Sequence, residues 1–101
     1  MSQYEIFVTP EALAEIKDLP GHMRQRVKRA IDTLAAEPRP AESKILEVPG
    51  NNGVIVCRLR LDKWRVVYMI AEAERAIDVV AVRKRPPYDY GDLQELLAEL
   101  E

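Results

Sequence analysis

Hydrophobic positions follow two rhythms in this chain, a helical one as far as Leu34 and an alternating one from Ile45 onward. Tyr4 to Val8 alternates weakly and is rich in β-formers. Thr9-Pro10-Glu11 then supplies an N-cap, a proline suited to the first helical position and an acid near the positive end of the helix dipole. Leu13, Ile16 and Leu19 mark the apolar stripe of this first helix, and Leu19-Pro20-Gly21 ends it. The second helix carries the clearest period: Met23, Val27, Ala30, Ile31 and Leu34 fall on one face, while Arg24, Arg26, Lys28 and Arg29 fall elsewhere. It stops before Glu37-Pro38-Arg39-Pro40, and its short link to the first helix predicts an antiparallel helical hairpin.

Ile45 to Val48 reads as a short strand before the turn Pro49-Gly50-Asn51-Asn52-Gly53. In Val54 to Leu61, Ile55, Cys57, Leu59 and Leu61 share one face, and Val54, Val56, Arg58 and Arg60 the other. Asp62-Lys63 turns the chain into Trp64 to Ile70, and Glu72-Ala73-Glu74-Arg75 turns it into Ala76 to Val82. Turns this short require antiparallel neighbours, since a parallel pair needs a crossover of about a dozen residues. Pro86-Pro87 stops the last strand, and a final helix from Asp92 presents Leu93, Leu96, Leu97 and Leu100. The expected fold is α+β: an N-terminal strand, an α-helical hairpin, an antiparallel three- to four-stranded meander and a C-terminal helix. The hairpin covers one sheet face, leaving the other only partly covered.

With 101 residues, 48% hydrophobic and 32% charged, the chain has the size and composition of one globular domain spanning 1–101. Its apolar runs fall far short of the roughly 20 residues a membrane span needs. The start, Met-Ser-Gln-Tyr-Glu-Ile, lacks the basic and apolar regions of a secretory leader, so the cytoplasm is the expected compartment. A single cysteine, Cys57, and a single histidine, His22, remove disulfide, zinc-cluster and Ser-His-Asp chemistries. Cys57 alternates with Ile55 and Leu59 and reads as a buried small hydrophobe; Trp64 and Tyr68 read as core beside Val66. Charge is uneven: residues 1–20 carry −3 and residues 86–101 carry −5, so the segment between them carries +6 despite an overall −2.

That basic middle has a focus. Arg58, Arg60, Lys63, Arg65, Arg83, Lys84 and Arg85 sit at strand ends that a meander makes neighbours, with Asp62 beside them. Gathering seven cations costs self-repulsion unless an anion is meant to sit among them. Tyr88 and Tyr90 follow in Pro86-Pro87-Tyr88-Asp89-Tyr90, where the prolines stiffen the segment. Guanidinium forks matched to phosphate and rings matched to bases are tools for holding single-stranded RNA.

Leu19-Pro20 before the second helix, Glu37-Pro38-Arg39 after it, Lys44-Ile45-Leu46, Arg58-Leu59-Arg60, Lys63-Trp64-Arg65-Val66-Val67-Tyr68, and Val82-Arg83-Lys84-Arg85 followed by tyrosines carry a resemblance over nearly the whole chain. Together they resemble the RelE/ParE superfamily of type II toxin–antitoxin toxins, and its RelE-like messenger-RNA endonuclease branch in particular. The resemblance implies a translation-inhibiting toxin that enters the ribosomal A site. There it cuts messenger RNA without cofactor or metal, the RNA 2′-hydroxyl attacking the adjacent phosphate. It aligns Arg65 with an arginine that stabilises the phosphoryl oxygens. Arg85 aligns with one that assists the leaving oxygen or binds phosphate, and Tyr88 or Tyr90 with a base-stacking tyrosine. Lys44, Arg60, Lys63, Arg83 and Lys84 are the expected RNA contacts.

Two positions depart from the family. Arg58 stands where a lysine serves as general base, and Val56 where a second lysine is expected. A guanidinium almost never yields a proton, so Arg58 suits a clamp better than a base, and Lys44 or Lys63 becomes the substitute to look for. Implied partners are a cognate antitoxin that wraps the toxin in a hetero-oligomer, the ribosome and messenger RNA; no membrane is implied. The superfamily also offers a ParE-like DNA gyrase inhibitor without nuclease activity, and a degenerate member that retains only antitoxin binding.

Overall fold

The computed structural model of the chain describes residues 3–46 and 55–84. Over these it contains β1 (Glu5–Val8), α1 (Pro10–Lys17), α2 (Gly21–Leu34), β2 (Ser43–Leu46), β3 (Ile55–Leu61), β4 (Trp64–Ala71) and β5 (Ala76–Lys84). The expected C-terminal helix, and the expected strand residues Glu47 and Val48, lie outside the described residues.

Thr9 starts α1 as its sequence predicts: its hydroxyl accepts from the Ala12 amide, and Pro10 takes the first turn. Ala12 and Ile16 are the buried positions of this eight-residue helix, whereas Leu13, expected in the stripe, is 43% exposed. The cause is phase. Ala12 and Ile16, one turn apart, form the line that meets the core, and Leu13, about 100° round the helix from Ala12, falls to its side. On α2 the expected face holds, with Met23, Val27, Ile31 and Leu34 buried.

The five strands form one sheet in the order β1-β5-β4-β3-β2. β2 to β5 are the expected antiparallel meander, and β1 adds to its far edge parallel to β5. α1 and α2 cover one face, packing against Cys57, Leu59, Val66, Tyr68, Ile70, Ile77, Val79 and Val82. Burying each such aliphatic side chain stabilises the fold by about 1.5–3 kcal/mol. The opposite face, expected to be only partly covered, buries Val56, Val67, Met69, Val80 and Ala81.

One irregularity decides which way β5 presents its charges. Val67 pairs with Ala81 but Tyr68 pairs with Val79, so Val80 is an extra residue in β5. Ile77 and Val79 face the helices before this bulge and Val82 faces them after it. The inserted residue shifts the alternation by one, so Arg83 shares the face opposite the helices with its partner Arg65 instead of pointing into the helical core.

Tyr68 reaches across the core and donates its hydroxyl to the Pro38 carbonyl at 2.6 Å, pinning the segment that joins α2 to β2. Burial raises its pKa. Removing the hydroxyl in Tyr68→Phe leaves that carbonyl without its partner and should cost about 1–3 kcal/mol in urea unfolding with the m-value unchanged.

Asp78 stands in an apolar row, between Phe7 on β1 and Met69 on β4, and burial pushes its carboxyl above the usual range. As pH rises, the unfolded chain therefore releases this proton first, and stability falls between the ordinary carboxyl pKa of about 3.9 and the raised folded value. Asp78→Asn should raise the melting temperature at pH 7, and the gain should vanish as pH drops below about 4.

Candidate functional site

Two rows of residues cross the face opposite the helices toward the β3–β4 turn. In the first, Ala81, Val67, Arg58 and Lys44 are successive partners on β5, β4, β3 and β2. In the second, Arg83, Arg65 and Arg60 stand abreast on β5, β4 and β3. Like charges directly opposed across strands destabilise a sheet, so each arginine of this row needs its own resolution.

Arg65 is only 5% exposed, and its Nη1 donates to the carbonyls of Asp62 and Trp64, both at 2.9 Å. The turn that supplies these acceptors holds Asp62 at φ 57°, a left-handed conformation that aspartate tolerates better than most residues. Arg83 is half-buried, and its Nε donates to Glu15 Oε2 of α1 at 3.2 Å. The other oxygen, Glu15 Oε1, accepts from the Val82 amide at 2.9 Å, beyond the point where β1 stops pairing with β5. Arg60 is exposed, with its amide donating to the Glu42 carbonyl.

The result is a cleft of about 460 Å³ lined by Arg26, Ala41, Glu42, Ser43, Lys44, Arg58, Arg60, Asp62 and Arg65. Five of these side chains are basic and two acidic. Of the expected residues, Arg58, Arg60, Arg65 and Lys44 come together here. Lys63 at the turn and Lys84 opposite Trp64 are exposed but do not line the cleft, and Arg83 is engaged at the β5 edge. Arg85, Tyr88 and Tyr90 lie outside the described residues. The expected core placements agree with the structure: Cys57 is buried, with its thiol pushed up by burial, Tyr68 is buried, and Trp64 packs against the same core.

Arg26 is the lining residue that sequence reading assigned only to a basic helix face. Its signal was present, a cation on α2 away from the Met23-Val27-Ile31 stripe, but nothing local tied it to β2 and β3. Glu15 carried even less signal, reading as one more acid of the first helix. Among the described residues, no three His, Cys, Asp or Glu side chains are grouped to hold a metal ion. What the arrangement offers chemically is a concave, cationic surface with one arginine held rigidly by the backbone, suited to a phosphate-bearing ligand. Among the same residues, no helix is long and apolar enough to cross a membrane.

Comparison with known proteins places the chain. Residues 6–86 match the ParE toxin of type II toxin-antitoxin system, parDE, and the chain belongs to that family within the RelE/ParE superfamily of toxins. It is similar to the toxin-designated RelE1 protein of Methanocaldococcus jannaschii, with 29% identity over 84 residues covering 82% of this chain and 91% of that protein. A chain of the archaeal RelE–RelB complex from Pyrococcus horikoshii OT3 has the same fold, with TM-score 0.74 and 24% identity over 87% of this chain and 100% of that one. A chain of the RelBE2 toxin–antitoxin complex from Mycobacterium tuberculosis gives 0.69 and 20% over 82% and 99%. The isolated E. coli RelE toxin gives 0.61 and 20% over 97% and 99%.

If Arg26 contributes to one anion-binding surface with the sheet residues, Arg26→Ala should weaken capture of a short single-stranded oligonucleotide. It should also reduce the slope of log affinity against log salt by about 0.7, as expected for losing one phosphate contact. Fluorescence anisotropy across a salt series measures both.

Proposed function

We propose that this toxin cuts messenger RNA on the ribosome, the RNA 2′-hydroxyl attacking the neighbouring phosphate within the Arg58-Arg60-Arg65 cleft, and so stops translation. The observation that carries this reading is the Arg65 guanidinium, buried and fixed by the Asp62 and Trp64 carbonyls on a surface where Arg58 and Arg60 also converge. In-line attack concentrates negative charge on the phosphoryl oxygens, and donors already held in place stabilise it without reorganising. Arg58 serves as a second clamp, and Arg26 holds a flanking phosphate. Arg85, beside the leaving oxygen or on a phosphate, and either Tyr88 or Tyr90, on the stacked base, complete the proposed set.

The partner proposed for this toxin is a cognate antitoxin, forming a toxin–antitoxin hetero-oligomer. The RelE–RelB and RelBE2 complexes that share the fold support this. A basic cleft favours a partner that brings acidic side chains to it. The cytoplasm, where ribosomes translate, is the proposed site of action. The match to a ParE toxin favours a second reading, inhibition of DNA gyrase without hydrolysis.

Purified toxin added to ribosomes translating a defined message should produce cuts in the A-site codon, mapped by primer extension. Arg65→Ala and Arg58→Ala should each lower the cutting rate about a hundredfold or more. Thermal melting shows whether either variant is folded. Intact message at full toxin dose, together with loss of supercoiling in a gyrase assay, would select the second reading.

A further inference from the structure

Cleavage of the kind proposed above needs a proton delivered to the 5′-oxygen as it leaves phosphorus, and most of the cleft cannot supply one. Arg26, Arg58, Arg60 and Arg65 carry guanidinium groups, which do not give up protons in proteins. Glu42 and Asp62 bring acceptor oxygens, and the Ser43 hydroxyl already donates to the Pro40 carbonyl. Cys57 is buried in the core on the helix side of the sheet, and neither His22 at the start of α2 nor Lys63 lines the cleft. Lys44 is left among the described lining residues. It lies on β2 directly across from Arg58, on the same face of the sheet, with the two Cα atoms roughly 5 Å apart as antiparallel partners are.

We propose that Lys44 is the general acid of this cleft, its Nζ protonating the departing 5′-oxygen while Arg58 and Arg65 hold the phosphoryl oxygens. The inference rests on the RNA-cleaving reading. The 2′-oxygen–phosphorus bond forms as the phosphorus–5′-oxygen bond breaks. The 2′-hydroxyl proton passes to solvent water, the Lys44 proton passes to the leaving oxygen, and the neutral amine regains a proton from solvent. The products are a 2′,3′-cyclic phosphate and a 5′-hydroxyl.

A leaving group that needs no proton isolates this role. Ribosomes are programmed with a message carrying either an ordinary phosphodiester or a 5′-bridging phosphorothiolate at the scissile position. Lys44→Ala should cut the ordinary message about a hundredfold more slowly than the unaltered toxin, the usual scale of acid catalysis, and Lys44→Arg should not restore the rate. The phosphorothiolate, whose thiolate departs unaided, should be cut by Lys44→Ala within a few-fold of the unaltered toxin. Equal slowing on both messages, or full rescue by arginine, would mean that Lys44 only binds phosphate and would overturn the proposal. So would unchanged cutting by Lys44→Ala. Should the unaltered toxin cut neither message, the RNA-cleaving reading itself fails and takes this one with it. Lys44 is exposed on an edge strand, so its variants are expected to fold.

Discussion

A guanidinium buried in the middle of a sheet needs acceptors for its donors, and in this protein two backbone carbonyls are among them. Arg65 belongs to β4, which lies between β3 and β5 and whose side chains on both faces are buried. Its charge is kept there by the Asp62 and Trp64 carbonyls, supplied by the tight turn just before it. Backbone acceptors fix the direction of the guanidinium, so its positive field is set before any ligand arrives. The hairpin turn thus serves as both a chain reversal and the support for the candidate site.

The sheet face opposite the helices is graded by that arrangement. At one end a row runs Phe7, Asp78, Met69, Val56 and Leu46 across all five strands, apolar but for one carboxyl. Two rows toward the other end it becomes Arg83, Arg65 and Arg60. Apolar packing therefore anchors the sheet at the end where β1 pairs, while the end near the β3–β4 turn carries the charge. The three aligned arginines coexist because each is treated differently. One is bound to carbonyls, one is bound to a carboxylate, and one is left exposed at the mouth of the cleft.

Much of this was legible in the sequence because it depends on local period. Alternation in β3 placed Arg58 and Arg60 opposite Cys57 and Leu59, and the α2 stripe was correct at every buried position. Thr9-Pro10 announced a helix start that the structure reproduces down to the hydroxyl contact. What local period could not carry was proximity between distant segments. The parallel pairing of β1 with β5, the arrival of Arg26 from α2 and the double contact of Glu15 each join residues far apart in the chain. The bulge at Val80 escaped for a different reason. A run of aliphatic residues, Val79-Val80-Ala81-Val82, reads the same with or without a one-residue slip, and only the register against β4 reveals which side Arg83 takes.

Glu15 has a consequence beyond its ion pair. β5 extends past β1, and its Val82 amide would otherwise offer a free docking point to any extended chain nearby. A side chain from α1 occupies that donor, much as a blanking plug closes an open socket. One donor on this rim is thereby held from within the chain.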